Sequence, residues 1–133
     1  MVRILIVDDE PSVREILCMF LQDHGYEAEA VEDGTKALER IPSLHPQVVF
    51  LDVAMPGING LRTLEKIREL DPECAVVMMS GHANHQAALH AMDMGAHDFV
   101  QKPFDFSYLE NMLLAKIVTF GAGRRPAEQP PGR

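Results

Sequence analysis

The stretch Val48-Val49-Phe50-Leu51-Asp52-Val53-Ala54-Met55-Pro56-Gly57-Ile58-Asn59-Gly60 decides the fold. Its first four residues, following Gln47, form a wholly apolar run of strand length, as expected of a strand buried on both faces. The run ends on a carboxylate, and Pro56-Gly57 turns the chain at once. Ligands of open α/β sheets gather outside the carboxyl ends of the strands, which sets Asp52 at the mouth of a site. Ile4-Leu5-Ile6-Val7-Asp8-Asp9-Glu10 repeats the pattern. Two neighbouring strands that finish in acids make a cluster, and such a cluster needs a cation.

From these strands the periodicity of the chain can be followed in both directions. Arg3 to Val7 is the first strand, and a helix is expected from about Pro11 to His24, with Asp9 or Glu10 able to cap it and Gly25 as its stop. Val13, Ile16, Leu17, Phe20 and Leu21 form its apolar stripe. A short strand over Ala28 to Val31 ends in the turn Glu32-Asp33-Gly34, and a short helix from Thr35 to Ile41 is expected to stop at Pro42. After Gly60 a helix runs through Leu70 with Leu61, Leu64 and Ile67 inward. Ala75 to Gly81 holds a fourth apolar strand that delivers Ser80. Asn84 to Met94 is a small-residue helix with Ala87, Ala88, Ala91 and Met92 on its thin apolar face, and Gly95 stops it. Asp98 to Pro103 is the fifth strand and its exit, and Ser107 is expected to cap a last helix lined by Leu109, Met112, Leu113 and Ile117.

Strict alternation of strands and helices predicts an α/β fold: a doubly wound, five-stranded parallel sheet of flavodoxin-like order 2-1-3-4-5, with helices on both faces. Strands one and three then flank the switch point, which brings Asp8, Asp9 and Asp52 together, while strands four and five add Ser80 and Lys102 to the same edge. Three close carboxylates repel one another unless a hard divalent ion joins them, and an all-oxygen ligand set suits Mg²⁺ or Mn²⁺ rather than zinc. An Asp nucleophile, such an ion and a Lys are the parts that phosphoryl transfer requires.

At 133 residues, 47% hydrophobic and 24% charged, the chain fits one soluble domain. No apolar stretch is long enough for a membrane span and no leader pattern is present, so the expected location is cytoplasmic. Cys18 and Cys74 lie far apart and without metal-ligand spacing, so both are expected to be small buried hydrophobes, not a disulfide. The net charge of −8 includes +2 from residues 121–133, leaving −10 on residues 1–120. That balance disfavours direct nucleic-acid binding and points to proteins or cations as partners. Residues 1–120 are expected to form the domain, and residues 121–133, rich in Gly, Pro and Arg, a disordered tail or the start of a linker. Met1 favours a natural start, and both a stand-alone protein and a piece of a longer regulator remain open.

Val7-Asp8-Asp9-Glu10, Leu51-Asp52 with Met55-Pro56-Gly57 and Gly60, Met79-Ser80-Gly81, and Lys102-Pro103-Phe104 resemble, in order and spacing, the receiver domain of bacterial two-component response regulators. The resemblance covers about residues 2–118. It implies a phosphorylation-dependent signalling switch in which Asp52 accepts a phosphoryl group from a sensor histidine kinase or a histidine phosphotransfer protein. Asp9, Asp52 and the backbone carbonyl of Ala54 would bind Mg²⁺, with Asp8 acting through water. Lys102 and Ser80 would bind the phosphoryl group, and Phe99 would be the switch aromatic that turns inward with Ser80. Output would pass through the fourth helix, fifth strand and fifth helix to a protein partner or an output domain, and a phosphorylation-dependent homodimer through that face stays open. Enzymatic activity would be confined to the chain's own phosphorylation and dephosphorylation. Ala54 and His82, each two residues beyond a site residue, are expected to tune the lifetime of the phosphorylated form.

Other readings compete. Asp8, Asp9 or Glu10 could serve as a helix cap, Ser80 as a turn residue, Lys102 as solvated surface, and Phe99 or Phe104 as ordinary core. His82, His85, His90 and His97 crowd one region, but without metal-ligand spacing they are expected to be solvated surface. A haloacid-dehalogenase-type phosphatase resembles this pattern in its strand-end Asp, yet the position of its general acid holds Ala54. A flavodoxin-like electron carrier would have to cradle a phosphate against Asp8-Asp9-Glu10, which would repel it. A phosphorylation-independent interaction module of the same shape is the remaining alternative.

Overall fold

The computed structural model describes residues 2–55, 57–81 and 85–116. Five strands and five helices alternate: β1 (Arg3–Val7), α1 (Pro11–Asp23), β2 (Glu27–Val31), α2 (Gly34–Leu44), β3 (Val48–Asp52), α3 (Gly60–Leu70), β4 (Ala75–Ser80), α4 (His85–Asp93), β5 (Asp98–Gln101) and α5 (Phe106–Lys116). The strands form one parallel sheet in the order β2-β1-β3-β4-β5, as the alternation predicts. β3 and β4 are buried at every position, which is why neither shows a polar alternation in the sequence.

Each face of the sheet has its own core. On one side Leu5, Val49, Leu51, Val76 and Met78 pack beneath α2, α3 and the small-residue face of α4. On the other, Ile4, Ile6, Phe50, Val77 and Met79 pack against Leu17 and Leu21 of α1 and Leu109 and Leu113 of α5. Successive strand residues thus feed opposite cores, the period of two that a pleated strand imposes. The register places Val7 beside Leu51 and Asp52 beside Met79, so β1, β3 and β4 end at nearly the same level. The residues just past those ends, or at them, form the site.

Several local expectations change. α2 runs one turn beyond Ile41 with Pro42 inside it. Pro42 brings no N–H to that turn, but the helix end is secured otherwise: the His45 N–H donates to Ile41 O at 2.9 Å, and Arg3 Nε donates to Leu44 O at 2.7 Å. Neither Asp9 nor Glu10 caps α1 through its side chain, although Glu10 occupies the capping position. Ser107 does not cap α5; Asp105 does, accepting the Tyr108 N–H at 3.1 Å. Ile16 is 48% exposed because it lies over the cleft between α1 and the β5–α5 connection rather than on the sheet. Met92 is also exposed, and Ala91 carries the burial of α4. Cys74 is buried and Cys18 half-buried, both free thiols. Gly25 and Gly95, at φ of 88° and 103°, follow α1 and α4 in the left-handed conformation of helix stops. Ile117 and the expected tail over residues 121–133 lie outside the described residues, as do His82 and Asn84.

Candidate functional site

Asp8 follows β1, Asp52 and Ser80 end β3 and β4, and Lys102 follows β5, so four adjacent strands deliver the site to one sheet edge. Asp8 is wholly buried, Asp52 is 4% exposed and Ser80 is 8% exposed, while Asp9 faces solvent. One carboxylate oxygen from each of Asp8, Asp9 and Asp52 lies within 4.8 Å of the others. Lys102 Nζ stands over them, 2.7 Å from Asp8 Oδ2 and 3.5 Å from Asp52 Oδ2. It also reaches Glu10 Oε1 at 3.1 Å, a partner across 92 positions that sequence spacing gives no means of finding.

The acids are aimed by the backbone around them. Asp8 Oδ1 accepts the Glu10 N–H at 2.9 Å, and Arg14 Nη1 donates to Asp8 O at 2.9 Å, fixing the entry to α1. Asp52 Oδ1 accepts the Ala54 N–H at 3.3 Å. The Gly60 N–H donates to Val53 O at 2.9 Å, which lays the start of α3 against the end of β3. Ala54 is exposed at the mouth of the site.

Burial, followed by the neighbouring charge of Asp8, pushes the Asp52 carboxyl from its ordinary 3.8 up to about 6, against the opposing pull of Lys102 and the Ala54 N–H. Burial disfavours the Lys102 ammonium, but the carboxylates of Asp8, Glu10 and Asp52 outweigh it and raise its pKa. A raised folded-state pKa on an acid means that ionised Asp52 opposes folding. This cost is full above about pH 6, fades between about 6 and 3.8, and is absent below that window. Asp52→Asn is therefore expected to raise stability by about 1–3 kcal/mol at neutral pH in EDTA, with the gain shrinking toward pH 4. Urea unfolding at several pH values measures it; a pH-independent difference would contradict the assignment of the shift to this group.

The residues fit a hard divalent cation. Asp8 offers a wholly buried carboxylate, and the Lys102 ammonium meets its Oδ2 at 2.7 Å. With oxygens of Asp9 and Asp52 nearby that carboxylate forms an all-carboxylate donor set of the kind that suits Mg²⁺ or Mn²⁺.

Phe99 is half-buried and packs on the α2–α3–α4 side of the sheet, opposite Met78 in the register. Its N–H donates to Asp98 Oδ1 at 2.8 Å, and Tyr108 Oη donates to Asp98 Oδ2 at 2.5 Å, tying the start of β5 to α5. That hydrogen bond, with burial and the Asp98 charge, pushes the Tyr108 hydroxyl up to about 12. Phe104 lies on the other side of the sheet with Phe106, ring centroids 6.3 Å apart. His90 is exposed, but His97 departs from the expected solvated role: it is half-buried, and its Nδ1 accepts the Val76 N–H at 3.3 Å.

A cluster of strand-end acids crowned by a lysine on a 2-1-3-4-5 sheet defines a receiver. A family model for the response regulator receiver domain matches residues 4–114, and the chain belongs to that family. It is 42% identical over 104 residues to the nitrogen assimilation regulatory protein NtrX of Azorhizobium caulinodans, covering 77% of this chain and 23% of that protein. To the regulatory protein AtoC of Escherichia coli it is 37% identical over 116 residues, covering 87% of this chain and 25% of that protein. The chain thus spans about a quarter of the length of these relatives. Among solved structures, the receiver domain of NtrX from Brucella abortus matches with a TM-score of 0.83 at 38% identity, covering 87% of this chain and 98% of that one. The chemotaxis protein CheY4 of Vibrio cholerae matches at 0.81 and 28%, covering 86% and 98%. Receivers are signalling switches, and the family works with histidine kinases and output domains. Among the described residues no helix is long and apolar enough to cross a membrane.

Proposed function

We propose that Asp52 is the phosphoacceptor of a cytoplasmic, phosphorylation-dependent switch, and that its donor is a phosphohistidine on a sensor kinase or phosphotransfer protein. The observation that carries this is the convergence of Asp8, Asp9, Asp52 and Lys102 at one sheet edge. An Asp52 oxygen forms the new bond to phosphorus as the phosphorus–nitrogen bond breaks, and the leaving imidazole takes up a proton. Mg²⁺, or Mn²⁺, held by Asp8, Asp9, Asp52 and the Ala54 carbonyl would supply charge neutralisation for the phosphoryl oxygens. Lys102 pairs with those oxygens once it leaves its resting carboxylates, and Ser80 hydrogen-bonds the product.

A cleft of about 490 Å³ between Val13 and Ile16 on one side and Phe104 and Phe106 on the other opens onto Lys102 and gives a donor protein its approach. The chain's only reactions are its own phosphorylation and dephosphorylation. Ala54, and His82 beyond the described residues, set the second of these rates. Phe99 couples Ser80 to the face of α4, β5 and α5, through which the switch contacts a protein partner, an output domain or a second copy. It does so without binding nucleic acid or membrane itself.

The test is transfer of label from autophosphorylated histidine kinases. An alkali-labile phosphoryl group on the chain, decaying at an altered rate in Ala54→Asn, is expected. Failure to take label from any kinase or small donor would shift the assignment to a phosphorylation-independent interaction module.

A further inference from the structure

Glu10 is placed where helix capping alone gives its side chain no work. It is the N-cap residue of α1, with φ −90° and ψ 118°, and its side chain makes no capping hydrogen bond. Its N–H is committed to Asp8 Oδ1, and Pro11 follows at the first helical position, so its backbone is held on both sides. The carboxylate, 58% exposed, instead reaches Lys102 Nζ at 3.1 Å. Lys102 is thereby shared among three acids, with Asp52 the most distant at 3.5 Å. Glu10 also lines the cleft that opens onto Lys102, so an incoming donor passes it.

We infer that Glu10 is a positioning residue that holds Lys102 in its resting place and, as a fixed negative charge at the mouth, selects against highly charged phosphoryl donors. This rests on Asp52 being the phosphoacceptor. Phosphorylation requires Lys102 to exchange a Glu10 oxygen for a phosphoryl oxygen, and a dianionic donor meets the Glu10 charge before it meets the lysine. Removing that charge lowers the repulsion and frees the ammonium together. The gain is largest for the more negative donor, and salt screens it because Glu10 is exposed.

The experiment compares wild type with Glu10→Gln, at saturating Mg²⁺, by the rate at which intact mass gains one phosphoryl group. Acetyl phosphate is the strongly charged donor and phosphoramidate the weakly charged one, each at about 20 mM and about 500 mM salt. At low salt Glu10→Gln is expected to speed phosphorylation by acetyl phosphate roughly three- to tenfold. The gain with phosphoramidate should be clearly smaller, and high salt should largely remove the difference between donors. General damage to the site would move both donors together and ignore salt. An equal change for both donors, or no rise with acetyl phosphate, would overturn the inference while leaving Asp52 as acceptor. Absence of any adduct in the wild type would overturn the acceptor and the inference together.

Discussion

Gly60→Ala is expected to destabilise the domain by about 3 kcal/mol or more, near or beyond the upper end of ordinary overpacking. A β-carbon on Gly60 would sit 2.1 Å from the carbonyl oxygen of Asp52 and 2.7 Å from Cα of Val53. Both are backbone atoms, so no side chain can swing aside. Relief requires either α3 to lift from the sheet, where Leu64 and Ile67 are fully buried, or the end of β3 to move. The second displacement carries Asp52 away from Asp8 and Lys102, so loss of stability should be joined by a fall in phosphorylation rate. Gly81 is the control: a β-carbon there meets nothing within 4 Å, and Gly81→Ala should stay within about 0.5 kcal/mol of wild type in unfolding. Equal urea midpoints for Gly60→Ala and wild type would show that α3 does not lie on β3 as described.

The second large effect is expected from Lys102→Ala. The ammonium is the cation facing Asp8 and Asp52, which are nearly or wholly buried, and its removal leaves two close carboxylates without compensation. Breaking a buried pair from one side costs about 3–5 kcal/mol; with Asp9 and Glu10 open to solvent at the mouth, about 2–4 kcal/mol is expected in EDTA. A divalent cation should recover part of it by neutralising the same acids, so Mg²⁺ should raise the melting temperature of Lys102→Ala more than that of wild type. A variant as stable as wild type in EDTA would mean that Lys102 is solvated surface after all.

The sheet was legible because β1, β3 and β4 are apolar on both faces and run directly into a polar residue at or just past their ends, a pattern that a strand buried beneath helices imposes on its sequence. Asp8, Asp52 and Ser80 could be gathered from that pattern, and Lys102 from the exit of the more polar β5, since strand order and register decide which ends are neighbours. Contacts between elements that lack a periodic signal were not legible. The reach of Glu10 to Lys102, the hold of Arg3 on the end of α2 and the bond of His97 to β4 all depend on how elements far apart in sequence settle against one another. Local chemistry also misled, at Pro42 and Ser107 among other places. Pro42 marked a stop that α2 passes, and Ser107 offered a cap where Asp105, two residues earlier, takes the role. In each case the alternative hydrogen-bond partner, not intrinsic propensity, set the boundary.

The most direct measurement is intact mass and peptide mapping after incubation with acetyl phosphate, with Mg²⁺ or with EDTA, for wild type and Asp52→Asn. A single phosphoryl group on the peptide that contains Asp52, formed with Mg²⁺ and absent both in EDTA and in the variant, is the predicted result. An adduct that persists in Asp52→Asn, or that forms equally well in EDTA, would contradict a metal-dependent phosphoacceptor centred on Asp52.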